Sequence, residues 1–331
     1  MAKSPESAED RLIARFFRPL ATAPGAFRLI DDAAALSPPP GCDIVLTTDG
    51  VIAGVHFFPD DPPDMISRKA LRMNLSDLAA KGARPLGFLM SVALPEGFGE
   101  AWLSGFTAGL AEDAAHFGCP LYGGDTDRTP GPTSVTIFAF GAVPQGKMVH
   151  RSTARPGDRI VASGTIGDAA IGLKLRRERA LARRWRLSDA AADALVARYL
   201  LPQPRNALAD AILQYASAAI DISDGLAGDI AKLARASSVA AEIDVARVPF
   251  SDAARAAITA EPALLETALT GGDDYEIVLT LRPEQLADFQ VAAEAAGIAV
   301  TEIGGVHAGE GTRLTQHGNP LAFARGSYSH F

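Results

Sequence analysis

Cysteine is scarce: Cys42 and Cys119 are the only two in 331 residues. Two thiols so far apart make neither a disulfide framework nor a thiolate metal site, so both read as reduced thiols of a cytoplasmic protein. Long apolar runs are missing as well. No stretch approaches the ~20 residues needed to span a bilayer, and the opening MAKSPESAEDRLIARFF has no apolar signal core, so no membrane association is expected. Positive charge is in deficit, with 31 Lys and Arg against 39 Asp and Glu and a formal net charge of -8. That balance argues against a nucleic-acid partner, because phosphate backbones are held mainly by lysine and arginine. The six histidines are scattered, and no G-x-S-x-G elbow is present, so a nucleophilic triad is not supported.

What the chain does contain is length and alternation. At this length two domains are the default. The stretch 144–158, broken by Pro144, Gly146, Pro156 and Gly157, marks the junction, giving domains 1–147 and 148–331. Apolar runs of strand length alternate with helical stretches in both, which predicts an α/β (α+β) fold. One sequence within the junction, GAVPQGKM at 141–148, nearly matches a phosphate loop. Met148 stands where the metal-binding hydroxyl belongs, and VHRSTARPGD is a poor start for the required helix, so the match is rejected. The basic stretch 174–186 is interspersed with Leu175, Leu181 and Trp185 and reads as the solvated face of a helix.

The organising stretch is DIVLTTDGVIAGVHF at 43–57. Ile44, Val45 and Leu46 predict a buried strand that ends in the oxygen donors Thr47, Thr48 and Asp49, with Gly50 allowing a turn. Thr-Thr-Asp-Gly alone is equally a plain turn. Repetition raises its weight, because carboxylates recur at Asp31-Asp32, Asp77, Asp125, Asp221/Asp224 and Asp273-Asp274. Adjacent carboxylates repel unless solvated or bridged by a cation. With no Cys or His metal spacing, the set points to hard cations, magnesium first, and to a phosphate-rich ligand. Gly123-Gly124-Asp125 would let a ligand approach the backbone. The helix starting after Asp224-Gly225 would point free N–H groups at a phosphate. The residues alone indicate magnesium-dependent phosphoryl chemistry on a small molecule.

The ordered set IDDAAAL, LTTDGVIAGVHF, KALRMNLSDLAAKGARP, LYGGDTDR, HRSTARPGD, AIDISDGLAGDI, GGDDYEI and terminal SHF resembles the thiamine-monophosphate kinase family, within a wider group that includes aminoimidazole ribonucleotide synthetase and selenophosphate synthetase. The resemblance spans nearly the whole chain. It implies an N-terminal mixed sheet with helices that pairs in a homodimer, and a C-terminal α/β sandwich completing the cleft. It further implies ATP as co-substrate, several magnesium ions, and conversion of thiamine monophosphate to thiamine diphosphate. Carried over by position, Asp32, Thr47, Thr48, Asp49, Asp77, Asp125, Asp221 and Asp224 resemble the metal ligands. Gly124, Asp125, Arg151 and Ser223 match nucleotide contacts, and His56, Asp273 and Tyr328 match contacts to thiamine phosphate. No catalytic general base is implied. Two positions depart from the pattern: Ile30 where glycine is usual, and Asp273 where glutamate is common. A sibling synthetase with another acceptor and a non-catalytic nucleotide-binding protein are the competing readings.

Overall fold

The structure is a computed structural model that describes residues 7–321 together with Phe323 and Ser327. The chain forms two compact units. The first comprises residues up to Leu78 and Arg84–Gly146; the second comprises Ala79–Ala83 and the residues from Lys147 on.

In the first unit, Ser7 and Asp10 form a reciprocal capping box at the start of α1 (Ala8–Leu12). After β1 (Cys42–Ile52) come α2 (Pro63–Ala80), β2 (Arg84–Pro95), α3 (Glu100–His116), β3 (Leu121–Thr129) and β4 (Ser134–Pro144). The strands make a mixed sheet in the order β1-β4-β2-β3, in which only β2 and β3 run parallel. Leu71, Leu75 and Leu78 of α2 are buried, as are Phe88, Val92 and Ile137 of the sheet. Arg72 of α2 makes a two-pronged ion pair with Asp113 of α3, at 2.6 and 2.9 Å, and Arg68 adds a contact at 3.1 Å.

The turn expected at Gly50 is not there. β1 runs through Gly50, which pairs with Thr136, and β3 likewise runs through Gly123 and Gly124 alongside β2. The backbone groups a turn would have left free are consumed by ladder pairing. Gly50 serves close packing instead, since a Cβ there would lie 3.0 Å from the Thr136 hydroxyl. Leu46, expected to be buried, is 59% exposed, because its neighbours Val45 and Thr47 take the inward positions of the strand.

The second unit carries a seven-stranded sheet in the order β11-β10-β7-β9-β5-β8-β6. Its strands are β5 (Arg159–Ser163), β6 (Ala218–Ile222), β7 (Ala240–Asp244), β8 (Glu276–Leu281), β9 (Val300–His307), β10 (Gly311–Gln316) and β11 (Asn319–Leu321). Its helices are α4 (Asp168–Arg177), α5 (Leu181–Arg184), α6 (Asp189–Leu200), α7 (Ala209–Tyr215), α8 (Leu226–Ser237), α9 (Asp252–Ala260), α10 (Leu264–Thr270) and α11 (Leu286–Ala295). All five residues of β6 are buried, as a strand with helices on both sides requires. Ile220 and Ile222 pack in one core with Leu226, Ile230 and Leu233 of α8. Ala219 packs in another core with Ile212 of α7 and Phe289 of α11. This is the expected α/β sandwich. The basic stretch is no single helix: α4 ends at Arg177, α5 is one turn, and buried Trp185 donates its ring N–H to Glu261 at 2.8 Å.

Candidate active site

Strand alternation divides the Thr-Thr-Asp set between two faces. Thr47 and Asp49 point toward α2, where Asn74 and Asp77 lie one helical turn apart. The Thr47 hydroxyl donates to the Asp77 carboxylate at 2.5 Å, and the Asp49 amide donates to Asn74 Oδ1 at 2.9 Å. Asn74, wholly buried, donates to the Ala70 carbonyl at 3.0 Å and so is locked in the orientation that receives Asp49. Thr48 faces the other way and donates to the Ile137 carbonyl at 3.0 Å. Just after the strand, His56 Nδ1 accepts from the Ile52 amide at 3.0 Å, which places any proton of a neutral ring on Nε2.

At the far side of the sheet, β3 is an edge strand, and the segment after α1 covers it. Ala35 donates to the Gly25 carbonyl at 2.8 Å and closes the loop that carries Asp31 and Asp32. Asp31, Asp32, Gly124 and Asp125 line one cavity of about 610 Å³, whose apolar wall includes Phe17, Leu89 and Tyr122. Two of the predicted ligands, Asp32 and Asp125, are thus brought to one space with the predicted nucleotide contact Gly124. A Cβ at Gly124 would fall 1.8 Å from the Met90 carbonyl oxygen, so no larger residue fits without moving the strand. Asp125 also pushes the carboxyl of Asp127, two residues on, above its ordinary value by direct charge repulsion.

In the second unit, β6 ends at Ile222 and the chain turns through Ser223, Asp224 and Gly225 into α8. Gly225 has φ 107, a value closed to most side chains, and a Cβ there would meet the Thr270 carbonyl carbon at 2.7 Å. The turn is clamped by the 271–275 segment. Asp273 donates its amide to the Ser223 carbonyl and Tyr275 to that of Ile222, both at 2.9 Å. Asp273 and Tyr275 are themselves left-handed, at φ 75 and 51, a strained pair of the kind that marks functional loops. The structure therefore sets Asp273 beside Ser223 and Asp224, while Asp221 is buried near the end of β6. Arg151 is exposed, its carbonyl taking a hydrogen bond from Ser237 at 3.1 Å. Tyr328 lies outside the described residues; nearby, Ser327 packs against Gly228 of α8 so closely that a Cβ on that glycine would approach within 2.3 Å.

Buried charges support this corner, and of these the sequence reading had singled out only Asp274. Asp274 accepts from the amides of Gly167 and Ala169 at 2.7 and 3.3 Å, and burial drives its carboxyl well above the ordinary range. Glu276, fully buried, is held by Ser163 at 2.7 Å, Arg198 at 2.8 Å and both arms of Arg205. Asp229 and Lys232 of α8 reach back to Asp224. Burial raises Asp229 above the usual carboxylate range, against the pull of Lys232. Burial also weighs against the Lys232 ammonium, but contacts to Asp224 and Asp229 outweigh it and leave its affinity for a proton raised. The signal for this pair was the three-residue spacing in DGLAGDIAK.

The predicted ligands supply only carboxylate and hydroxyl oxygens, the donor type magnesium takes. Among the described residues no three or more His, Cys, Asp or Glu side chains are gathered closely enough to hold a metal ion.

Comparison with known proteins follows this geometry. Residues 30–143 match the N-terminal domain of AIR synthase related protein, and residues 155–317 match its C-terminal domain. A thiamine-monophosphate kinase of Caulobacter vibrioides is 43% identical over 322 residues, covering 96% of this chain and 89% of the relative. The crystal structure of thiamine-monophosphate kinase from Stenotrophomonas maltophilia K279a is 36% identical, with a TM-score of 0.81, over 94% of this chain and 96% of that one. A further structure, AaThiL complexed with AMPPCP and TMP, is 30% identical with a TM-score of 0.77, over 93% of this chain and 97% of that one. The chain belongs to the thiamine-monophosphate kinase family, within the AIR synthase related proteins.

Proposed function

We propose that the protein transfers the γ-phosphoryl group of ATP to the phosphate of thiamine monophosphate, giving thiamine diphosphate and ADP. The observation that carries this reading is family membership along nearly the full chain. A relative complexed with AMPPCP and TMP together supports a nucleotide and a thiamine phosphate as co-substrates.

A phosphate monoester is already an anionic nucleophile near neutral pH, so no residue is needed to remove a proton from it. The work of the protein is therefore positioning and charge compensation for a direct, in-line transfer. Magnesium ions, when bound, would neutralise charge on the polyphosphate and the acceptor. Asp32, Thr47, Thr48, Asp49, Asp77, Asp125, Asp221 and Asp224 are proposed to hold them. Thr47 and Asp49 would approach a bound ion from the α2 side of the sheet, and Thr48 from the other. Gly124, Asp125, Arg151 and Ser223 are assigned to the nucleotide. His56, Asp273 and Tyr328 are assigned to thiamine phosphate, Tyr328 by stacking on the cationic ring. The working unit is proposed to be a cytoplasmic homodimer of two-domain chains, divided at 147/148, that pair through their N-terminal sheets.

Incubation with ATP, magnesium and thiamine monophosphate tests the reaction: thiamine diphosphate and ADP should appear in equal amounts. Formation of neither product rejects the kinase assignment, and ADP formed only with a different acceptor would indicate a sibling synthetase. Asp49→Asn should lower turnover by about a hundredfold while leaving the melting temperature nearly unchanged, because its carboxylate acts on charge and its amide keeps the bond to Asn74.

A further inference from the structure

Helix α8 starts directly after Asp224-Gly225, and its second turn carries Lys232 on the same face as Asp229. Asp229 is fully buried, and both of its oxygens are used: Oδ2 accepts the Asp224 amide at 2.9 Å and Oδ1 accepts the Lys232 ammonium at 2.7 Å. The same ammonium touches the Asp224 carboxylate through Oδ2. Asp229 thus fixes the backbone of the turn while Lys232 ties the Asp224 side chain back to the helix. One positive charge sits between two negative ones, leaving a net charge of about -1, and the ammonium occupies a carboxylate oxygen that a divalent cation would otherwise take.

We propose that Lys232 is a built-in counter-ion that occupies the cation position at Asp224 until a divalent cation arrives, and that it must release Asp224 Oδ2 for the cation to bind. Lys232 is then a positioning residue that sets how much magnesium the protein needs. The inference rests on the reading of Asp224 as a metal ligand. Its physical basis is competition for one oxygen: an ammonium has three donors and no preference for a single partner, so it keeps Asp229 when it gives up Asp224. Without it, two carboxylates would face each other unscreened in the metal-free protein. That repulsion is relieved by the incoming ion, so binding becomes tighter when the lysine is removed.

The test is calorimetric titration of the full-length, nucleotide-free protein with magnesium chloride alone, together with the shift in melting temperature that magnesium causes. Lys232→Met should bind magnesium about three- to tenfold more tightly than the wild type and show a larger magnesium-dependent shift. Lys232→Arg should restore wild-type behaviour, and Asp224→Asn should weaken binding. A merely structural lysine would give unchanged or weaker binding in Lys232→Met, which overturns the proposal while the weakened Asp224→Asn keeps Asp224 as a ligand. Unchanged binding in Asp224→Asn instead rejects Asp224 as a ligand, and the counter-ion role falls with it. Should Lys232→Met not fold, Lys232→Gln, which keeps hydrogen-bond donors without the charge, carries the same expectation and the same refutation.

Discussion

At the scale of single residues, burial separates side chains of the same type. Cys119 is fully buried, and loss of solvation pushes its thiol up to about 12, while Cys42 is partly accessible. Only the thiolate reacts with alkylating agents, so at pH 8 the reactive fraction of Cys119 is on the order of one in ten thousand. In the native protein, iodoacetamide at pH 8 should modify Cys42 and leave Cys119 unlabelled, with both labelled in denaturant, as read by peptide mass spectrometry. Labelling of Cys119 at the rate of Cys42 would contradict its burial. The same scale shows what sequence patterns carry and what they omit. Asp32, Gly124 and Asp125 stood out in the sequence because paired carboxylates and glycines are locally unusual, and all three line one cavity. Arg198 and Arg205 were not legible, since a basic residue on a helix or in a loop is normally a solvated one, and only the fold brings them to Glu276; the spacing of Lys232 from Asp229 was readable, but its contact with Asp224 was not.

At the scale of elements, α2 connects packing with the site. Its Asn74 and Asp77 receive β1, and one turn earlier Arg72 joins Asp113 of α3, where the guanidinium also lies over the Phe117 ring at 5.5 Å. Both partners of that ion pair are nearly inaccessible, so its removal on one side strands a charge rather than merely losing a contact. Asp113→Ala should destabilise the protein by about 3–5 kcal/mol, measured as a lower urea midpoint with an unchanged slope. The double change Arg72→Met with Asp113→Leu should cost clearly less, because neither member of the pair is then left buried without the other and Arg68 keeps Glu112 as a partner. Equal losses in the two variants would show that the pair contributes shape and not charge compensation. That β1 is a strand was readable from sequence, but which of its residues face inward was not. Which of Thr47 and Thr48 faces the helix depends on the pairing of β1 with β4, a contact about ninety residues distant that no local signal encodes.

At the scale of the whole molecule, the first unit leaves one sheet face open. Thr48, Phe138 and Leu89 stand in one cross-strand row, and Leu46 and Ile52 share the parity of Thr48 along β1. Leu46, Ile52 and Leu89 are 59%, 38% and 37% exposed, although strand positions beside them on the other face are buried. Large apolar side chains lined up on one face of a sheet are characteristic of a surface that another chain covers. The proposed pairing of two identical N-terminal sheets would use this face, since an isologous contact matches each row with itself. The wild-type protein should therefore sediment as a dimer at micromolar concentration. Leu46→Glu combined with Leu89→Glu should give a folded monomer, because two like charges would then be brought together across the two-fold axis. A wild-type monomer, or a charged variant that remains dimeric, would remove this face from the interface. If Asp125, two residues along the edge strand from the Gly123 that pairs with Leu89, also needs the second chain to be held in place, wild-type turnover should fall in proportion to the loss of dimer across a dilution series.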